Sequence, residues 1–172
     1  DNIYNALVRL DENLQPKPDL AQSWTVSPDG RVYTFQLATN AKWHDGKPVT
    51  AADVEFTFND LIAKNHPRAG TWWPNVESAK ATGTHTFEFR LKEPYVPFLT
   101  MLGSVLSSSA LIMPKHLYEG KDAKTNPANQ APVGSGPFKF VRWQRGSFIE
   151  LARNDQYWKP GKPYLDRVVL QI

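Results

Sequence analysis

The sequence contains no cysteine. That absence removes thiolate metal sites, disulfide frameworks and cysteine nucleophiles. It leaves the compartment open, since an oxidising space tolerates a Cys-free chain as well as the cytosol does. No apolar run approaches the roughly 18 residues of a membrane span. Basic residues do not cluster: 20 Lys and Arg stand scattered against 17 Asp and Glu, for a net charge of +3. Nucleic-acid binding needs a concentrated basic face, so no nucleic-acid partner is expected. No secretory leader pattern opens the chain, although a start at Asp1-Asn2-Ile3-Tyr4 without Met leaves room for one to have been removed. The four histidines, His44, His66, His85 and His116, show none of the close spacings that place two rings on one metal. The carboxylates are dispersed, and no acid/base pair can be named. Catalysis, metal and cofactor all lack a sequence basis.

What is present suits a folded chain of one domain or two small lobes. Six Trp, six Tyr and nine Phe in 172 residues supply a core, and 14 Pro with 10 Gly imply many turns. Residues 3–8 suggest a short helix or its last turns. Gln22–Val26 and Val32–Leu37 flank Ser27-Pro28-Asp29-Gly30, whose Pro and Gly suit a tight turn, so the two runs form a hairpin. Thr50 begins a helix with Asp53 as its capping-box partner. Val54, Phe58, Leu61 and Ile62 then make a core-facing stripe that ends near Lys64, before Pro67.

A second hairpin spans about 76–91, with Phe87, Phe89 and Leu91 alternating against Thr86, Glu88 and Arg90. Short helical pieces follow at Pro97–Leu102 and Pro114–Tyr118, then a polar loop over 120–132. Strands are expected at Phe138–Trp143, Phe148–Arg153 and Leu165–Ile172. The last ends on an apolar face of Val168, Leu170 and Ile172, which suggests a fragment of a longer protein. The class is α+β with antiparallel hairpins and few helices.

Two stretches invite chemistry. Pro132-Val133-Gly134-Ser135-Gly136-Pro137-Phe138 places a serine between glycines. A phosphate cradle would need a helix after the glycines, and here a strand follows. A nucleophile elbow would need another Gly where Val133 stands. The remaining reading is a tight backbone passage between two structural units. Trp72-Trp73-Pro74 follows the helix in a loop context. Neighbouring side chains diverge, so one of the two indoles is either ligand-facing or, like its neighbour, a plug in the core. Trp24, Trp43, Trp143 and Trp158 sit in strand-like patterns and read as core or lobe-interface residues.

Six segments in this order resemble one family: Asp19-Leu20-Ala21-Gln22-Ser23-Trp24, Ser27–Gly30, Tyr33–Leu37, Lys42-Trp43-His44-Asp45-Gly46 through Val54, Pro132–Phe138, and Arg153-Asn154-Asp155-Gln156-Tyr157-Trp158. They look like the family 5 extracellular solute-binding proteins, the dipeptide-, oligopeptide- and nickel-binding subunits of ABC importers. Ser135, Phe138 and Ala38-Thr39 depart from the family's usual residues.

The resemblance implies part of a periplasmic-binding-protein-like two-lobed clamp: the first lobe with an extra small domain, the second lobe missing. By it, residues 1–18 begin lobe I, 19–131 form the small domain, and 132–172 return into lobe I. It implies a binding protein rather than an enzyme, with di- or oligopeptides as the first solutes to consider. Nickel chelates, opines, oligosaccharides and glutathione are alternatives. A sensor domain of a transcription regulator and an unrecognised hydrolase are the other classes.

Expected partners are a small-molecule or peptide ligand and an ABC permease, with the protein a monomer. The location implied is periplasmic, or extracellular as a membrane-anchored lipoprotein. In relatives the loop after the small-domain helix reaches the cleft, which points to Arg68, Trp72 and Trp73. A second cleft-lining stretch corresponds to Ser104–Ser109, with Ser107 and Ser108. The Gly134-Ser135 passage lies where the chain re-enters the main lobe and completes the candidate set.

Overall fold

The computed structural model describes residues 2–67, 69–103 and 110–172. Its centre is a four-stranded antiparallel sheet in the order β3-β4-β6-β5. β3 (Ala21–Val26) and β4 (Val32–Leu37) form the first hairpin, β5 (Val76–Ala81) and β6 (Thr86–Leu91) the second. The Ser27–Gly30 turn closes the first because Gly30 takes φ +70, a conformation that costs other residues a Cβ clash. The hairpins join through β4 and β6, in register Tyr33↔Phe89 and Phe35↔Phe87. Strand periodicity therefore puts Tyr33, Phe35, Phe87 and Phe89 on one face, and all four are buried.

A helix covers that face. Helix α1 (Ala51–Phe56) runs on through a π-helical turn at Thr57–Ile62 into α2 (Ala63–Asn65). Its start is fixed by Asp53, whose carboxylate accepts the Thr50 backbone N–H at 2.9 Å. Val54, Phe58 and Ile62 are buried, and the Phe58 ring stands edge-on to Phe89 at 4.8 Å between centroids. Burying such a ring contributes on the order of 2 kcal/mol. The wide turn sits where the Thr57 hydroxyl accepts the Met113 N–H, at 2.9 Å, tying the helix to a distant segment. After it come α3 (Ala69–Trp72) and a single 3-10 turn at Trp73–Asn75.

Two smaller sheets flank this unit. β1 (Val8–Leu10) pairs with β2 (Pro16–Pro18), and α4 (Phe98–Gly103) packs against them. β7 (Phe138–Gln144), β8 (Phe148–Arg153) and β9 (Arg167–Gln171) form a three-stranded meander. Helix α5 (Lys115–Tyr118) and a 3-10 turn at Pro127–Asn129 lie between. Among the described residues no helix is long and apolar enough to cross a membrane.

Residues 3–8 are not a helix. Ala6 bridges Leu111, and the carbonyls of Ala6 and Leu7 accept the N–H groups of Leu20 and Ala21 at 3.0 and 2.9 Å. These non-local partners take the backbone groups that a helical turn would need. Among the tryptophans, Trp43 is core at 2 % exposure, whereas Trp143 stands on the meander at 42 %. Trp143, Ile149 and Leu170 are directly opposite one another across β7, β8 and β9, so they share one face of that sheet. Trp143 is thus a sheet-face residue rather than a core one.

Candidate functional site

The Pro132–Phe138 passage threads between two other segments. The Gly136 and Phe138 N–H groups donate to the Ile3 and Asn2 carbonyls at 2.7 and 2.9 Å. A Cβ on Gly134 would lie 1.8 Å from the Ile3 carbonyl oxygen, and one on Gly136 would lie 2.6 Å from the Ile3 carbonyl carbon. Only glycine fits at either place. On the other side stands His44, whose N–H donates to the Gly134 carbonyl at 2.8 Å. Its ring accepts the Gly134 N–H at Nδ1, 3.1 Å, and lies 3.0 Å from the Gly136 carbonyl at Nε2. An amide N–H can only donate, so Nδ1 carries a lone pair and Nε2 carries the proton that Gly136 accepts. Burial holds the ring's pKa below the usual histidine value. The Gly136 hydrogen bond opposes that shift, Lys139 reinforces it, and Asp45 opposes it.

Ser135, between the two glycines, is fully buried and donates to Asn5 Oδ1 at 3.1 Å. The Asn5 amide donates onward to Asp19 at 3.0 and 3.2 Å and to the Tyr157 hydroxyl at 3.2 Å. Asp19 also accepts the Ala6 N–H at 3.0 Å and pairs with the Lys159 ammonium. Both polar atoms of the Asn5 side chain are used, which fixes the orientation of its amide. Burial pushes the Tyr157 hydroxyl up to about 12. Its contact with Asn5 works the other way, and the Asp19 charge adds to the rise.

This network forms the wall of a concavity of about 520 Å³, lined also by Leu102, Gly103 and Ala110. A second, of about 510 Å³, adjoins it and shares Arg9, Pro137, Tyr157 and Lys159, adding Lys162 and Tyr164. Among the described residues three cations and one carboxylate line the pair, so their wall is net positive. Lys159 is engaged by Asp19 and Lys162 lies over the Tyr164 ring at 3.7 Å. Such a wall can meet a carboxylate through its cations, and flat or aliphatic groups through its apolar side chains.

The expected site residues divide. Trp72 is buried, edge-on to Phe58 at 6.4 Å and to Phe98 at 6.5 Å. It is a core residue, and its indole N–H has no partner among the described residues. Trp73 packs edge-on to Trp72 at 5.4 Å and is only partly buried. Adjacent residues diverge as expected, but the inner one serves packing. Gly134 and Ser135 face protein, and Ser135 reaches the cleft only through Asn5. Arg68, Ser107 and Ser108 lie outside the described residues, although Gly103 and Ala110, which flank 104–109, line the larger concavity.

Asn5, Asp19, Tyr157, Lys159 and His44 were not among the expected site residues. Asp19, His44 and Tyr157 stand inside the segments that resemble the family, but nothing in their spacing shows that they converge. Among the described residues no group of three or more His, Asp or Glu is placed to hold a metal.

The chain matches the model of bacterial extracellular solute-binding proteins, family 5 (middle part), over residues 15–172. It is 35% identical to the oligopeptide-binding protein AppA of Bacillus subtilis (strain 168) over 175 residues, covering 99% of this chain and 31% of that protein. It is 33% identical to di/tripeptide-binding protein 2 of Pseudomonas aeruginosa (strain UCBPP-PA14), covering 99% of this chain and 35% of that one. Its fold is similar to the crystal structure of NikZ from Campylobacter jejuni in complex with Ni(L-His). There the TM-score is 0.85 at 33% identity, over 99% of this chain and 33% of the other. The chain spans about a third of the length of the relatives it matches. With a model match over most of its length and a shared fold, the chain belongs to the bacterial extracellular solute-binding proteins of family 5.

Proposed function

We propose that this chain is part of the solute-binding component of an ABC importer that captures di- or oligopeptides. The observation that carries the reading is the two-part cleft around Arg9, Tyr157 and Lys159, set in a chain whose relatives include oligopeptide- and di/tripeptide-binding proteins. A peptide offers a carboxylate, amides and variable side chains. A net positive wall with aromatic and aliphatic patches suits that mixture.

In this reading the protein binds and releases its solute without turnover. It acts outside the cytoplasmic membrane, in the periplasm or tethered by a lipid, as a monomer that delivers to a membrane permease. Residues 1–18 and 132–172 belong to the main lobe and 19–131 to the small domain. The remainder of the clamp closes over the ligand. Trp73, partly buried against the core, faces the solute from the small domain.

A nickel chelate is the second reading, favoured by the likeness to NikZ. Native mass spectrometry of the full-length protein from its source separates the two. A small added mass that fragments as a peptide supports the main reading. A mass with the nickel isotope pattern supports the second. Titration calorimetry with di-, tri- and longer peptides, and with Ni(L-His), then ranks affinity. No heat with any peptide would overturn the peptide assignment.

A further inference from the structure

The His44 ring holds the glycine passage only in one protonation state. Gly134 N–H needs a lone pair at Nδ1, and the Gly136 carbonyl needs a proton at Nε2. A second proton has only Nδ1 to go to, and there it would point at an N–H group. Both cannot be donors in a gap of 3.1 Å, so protonation must part ring and backbone.

What would part matters to the cleft. The passage carries Ser135, whose hydroxyl orients Asn5, and Pro137, which lines both concavities. We infer that His44 is a proton-operated latch: one proton taken from solvent at Nδ1 breaks the Gly134 hydrogen bond and loosens the segment that walls the cleft.

The charges around the ring support a device that rests closed at neutral pH. Lys139, from β7, disfavours a second cation. Asp45, the ring's chain neighbour, favours one, but its carboxylate is engaged by His116 Nε2 of α5 at 2.7 Å and by the Lys47 N–H at 3.2 Å. Asn154 contributes a neutral amide to the same Gly136 carbonyl at 3.2 Å, and the Asn2–Ile3 stretch contributes backbone carbonyls.

The sign follows from linkage. The folded state binds this proton less readily than the unfolded chain, because burial lowers the ring's pKa. The latch's contribution is full above the unfolded histidine value of about 6.5. It is lost as pH falls through the lower folded value.

The test is imidazole 15N NMR and amide hydrogen exchange on the full-length protein between pH 7.5 and 5. The expected result is a neutral His44 with its proton on Nε2. Its titration should fall below about 6.5, with about a tenfold loss of protection at the Gly134 amide over the same window. His44→Asn keeps an acceptor near Nδ1 and cannot titrate, so its melting temperature should vary less with pH than the wild type's. A proton on Nδ1 at neutral pH, or Gly134 protection independent of pH, would overturn the latch. So would parallel melting profiles for wild type and His44→Asn, which would place the pH effect outside this ring. None of these readouts depends on which solute binds.

Discussion

The carbonyl oxygen of Ile3 sits where a side chain on Gly134 would have to be, 1.8 Å from the position of its Cβ. Gly134→Ala must therefore push the two backbones apart and break the Gly136–Ile3 and Phe138–Asn2 hydrogen bonds with them. The expected cost is about 3 kcal/mol, at the upper end for overpacking. Gly70→Ala, where a Cβ meets nothing within 4 Å and φ is ordinary, should be neutral or slightly stabilising. Urea denaturation of the two variants measures the contrast, and equal losses would refute the close-approach argument.

Trp72 and Trp73 should separate stability from binding. Trp72→Ala removes the centre of a cluster with Phe58, Phe98 and Trp73. It should cost ~3–5 kcal/mol. Trp73→Ala leaves that cluster mostly intact. On the proposed reading it should weaken solute affinity about tenfold with a smaller shift in melting temperature. A large melting loss with unchanged affinity for Trp73→Ala would make it a packing residue too.

Asp19 and Lys159 are unequal partners. Asp19 accepts from the Asn5 amide, the Ala6 N–H and the Lys159 ammonium, and its side chain is 8% exposed. Asp19→Ala leaves several buried donors unpaired and should cost ~3 kcal/mol. Lys159→Met, at a side chain 29% exposed, leaves Asp19 its other donors and should cost ~1–2 kcal/mol. Chemical denaturation of both variants checks the order, and a larger loss for Lys159→Met would reverse the account.

The first hairpin turn carries an acid-side signature. Hydrogen bonds from the Ser27 hydroxyl, then from the Arg31 side chain and backbone, bring the Asp29 carboxyl down to about 2 from 3.8. A depressed folded value means that the turn's contribution is complete above the unfolded value. It fades as pH falls towards 2. Carboxyl 13C NMR should find Asp29 titrating well below the ordinary aspartate value of 3.8, and Ser27→Ala should raise it. An Asp29 that titrates near 3.8 would show that the turn is not held this way.

The glycine passage shows how far the sequence reads. The strand after Gly136 spoke against a phosphate cradle, which needs a helix there, and Val133 spoke against a nucleophile elbow, which needs a glycine at that place. The first of these rests on local chain direction, which period-2 alternation reveals. The two hairpins, the Thr50–Asp53 helix start and the Val54, Phe58, Ile62 stripe were legible for the same reason: their hydrogen bonds and burial follow patterns within a few residues. The extended path of residues 3–8 was not, because its partners are Leu20, Ala21 and Leu111. The cleft was not legible either. Asn5, Asp19, Ser135, Tyr157 and Lys159 are ordinary polar residues until the fold brings them within hydrogen-bond reach.

The sequence alone therefore determined the class, the hairpins and the resemblance to the family. Composition, periodicity and short motifs record local free energies directly. Tertiary structure alone decided that Trp72 serves the core, that Ser135 faces Asn5 rather than solvent, and that the His44 ring meets the backbone of both Gly134 and Gly136. Each of these depends on contacts between residues as many as 130 positions apart. Such contacts form when loop closure and burial outweigh chain entropy, and no local pattern records that balance.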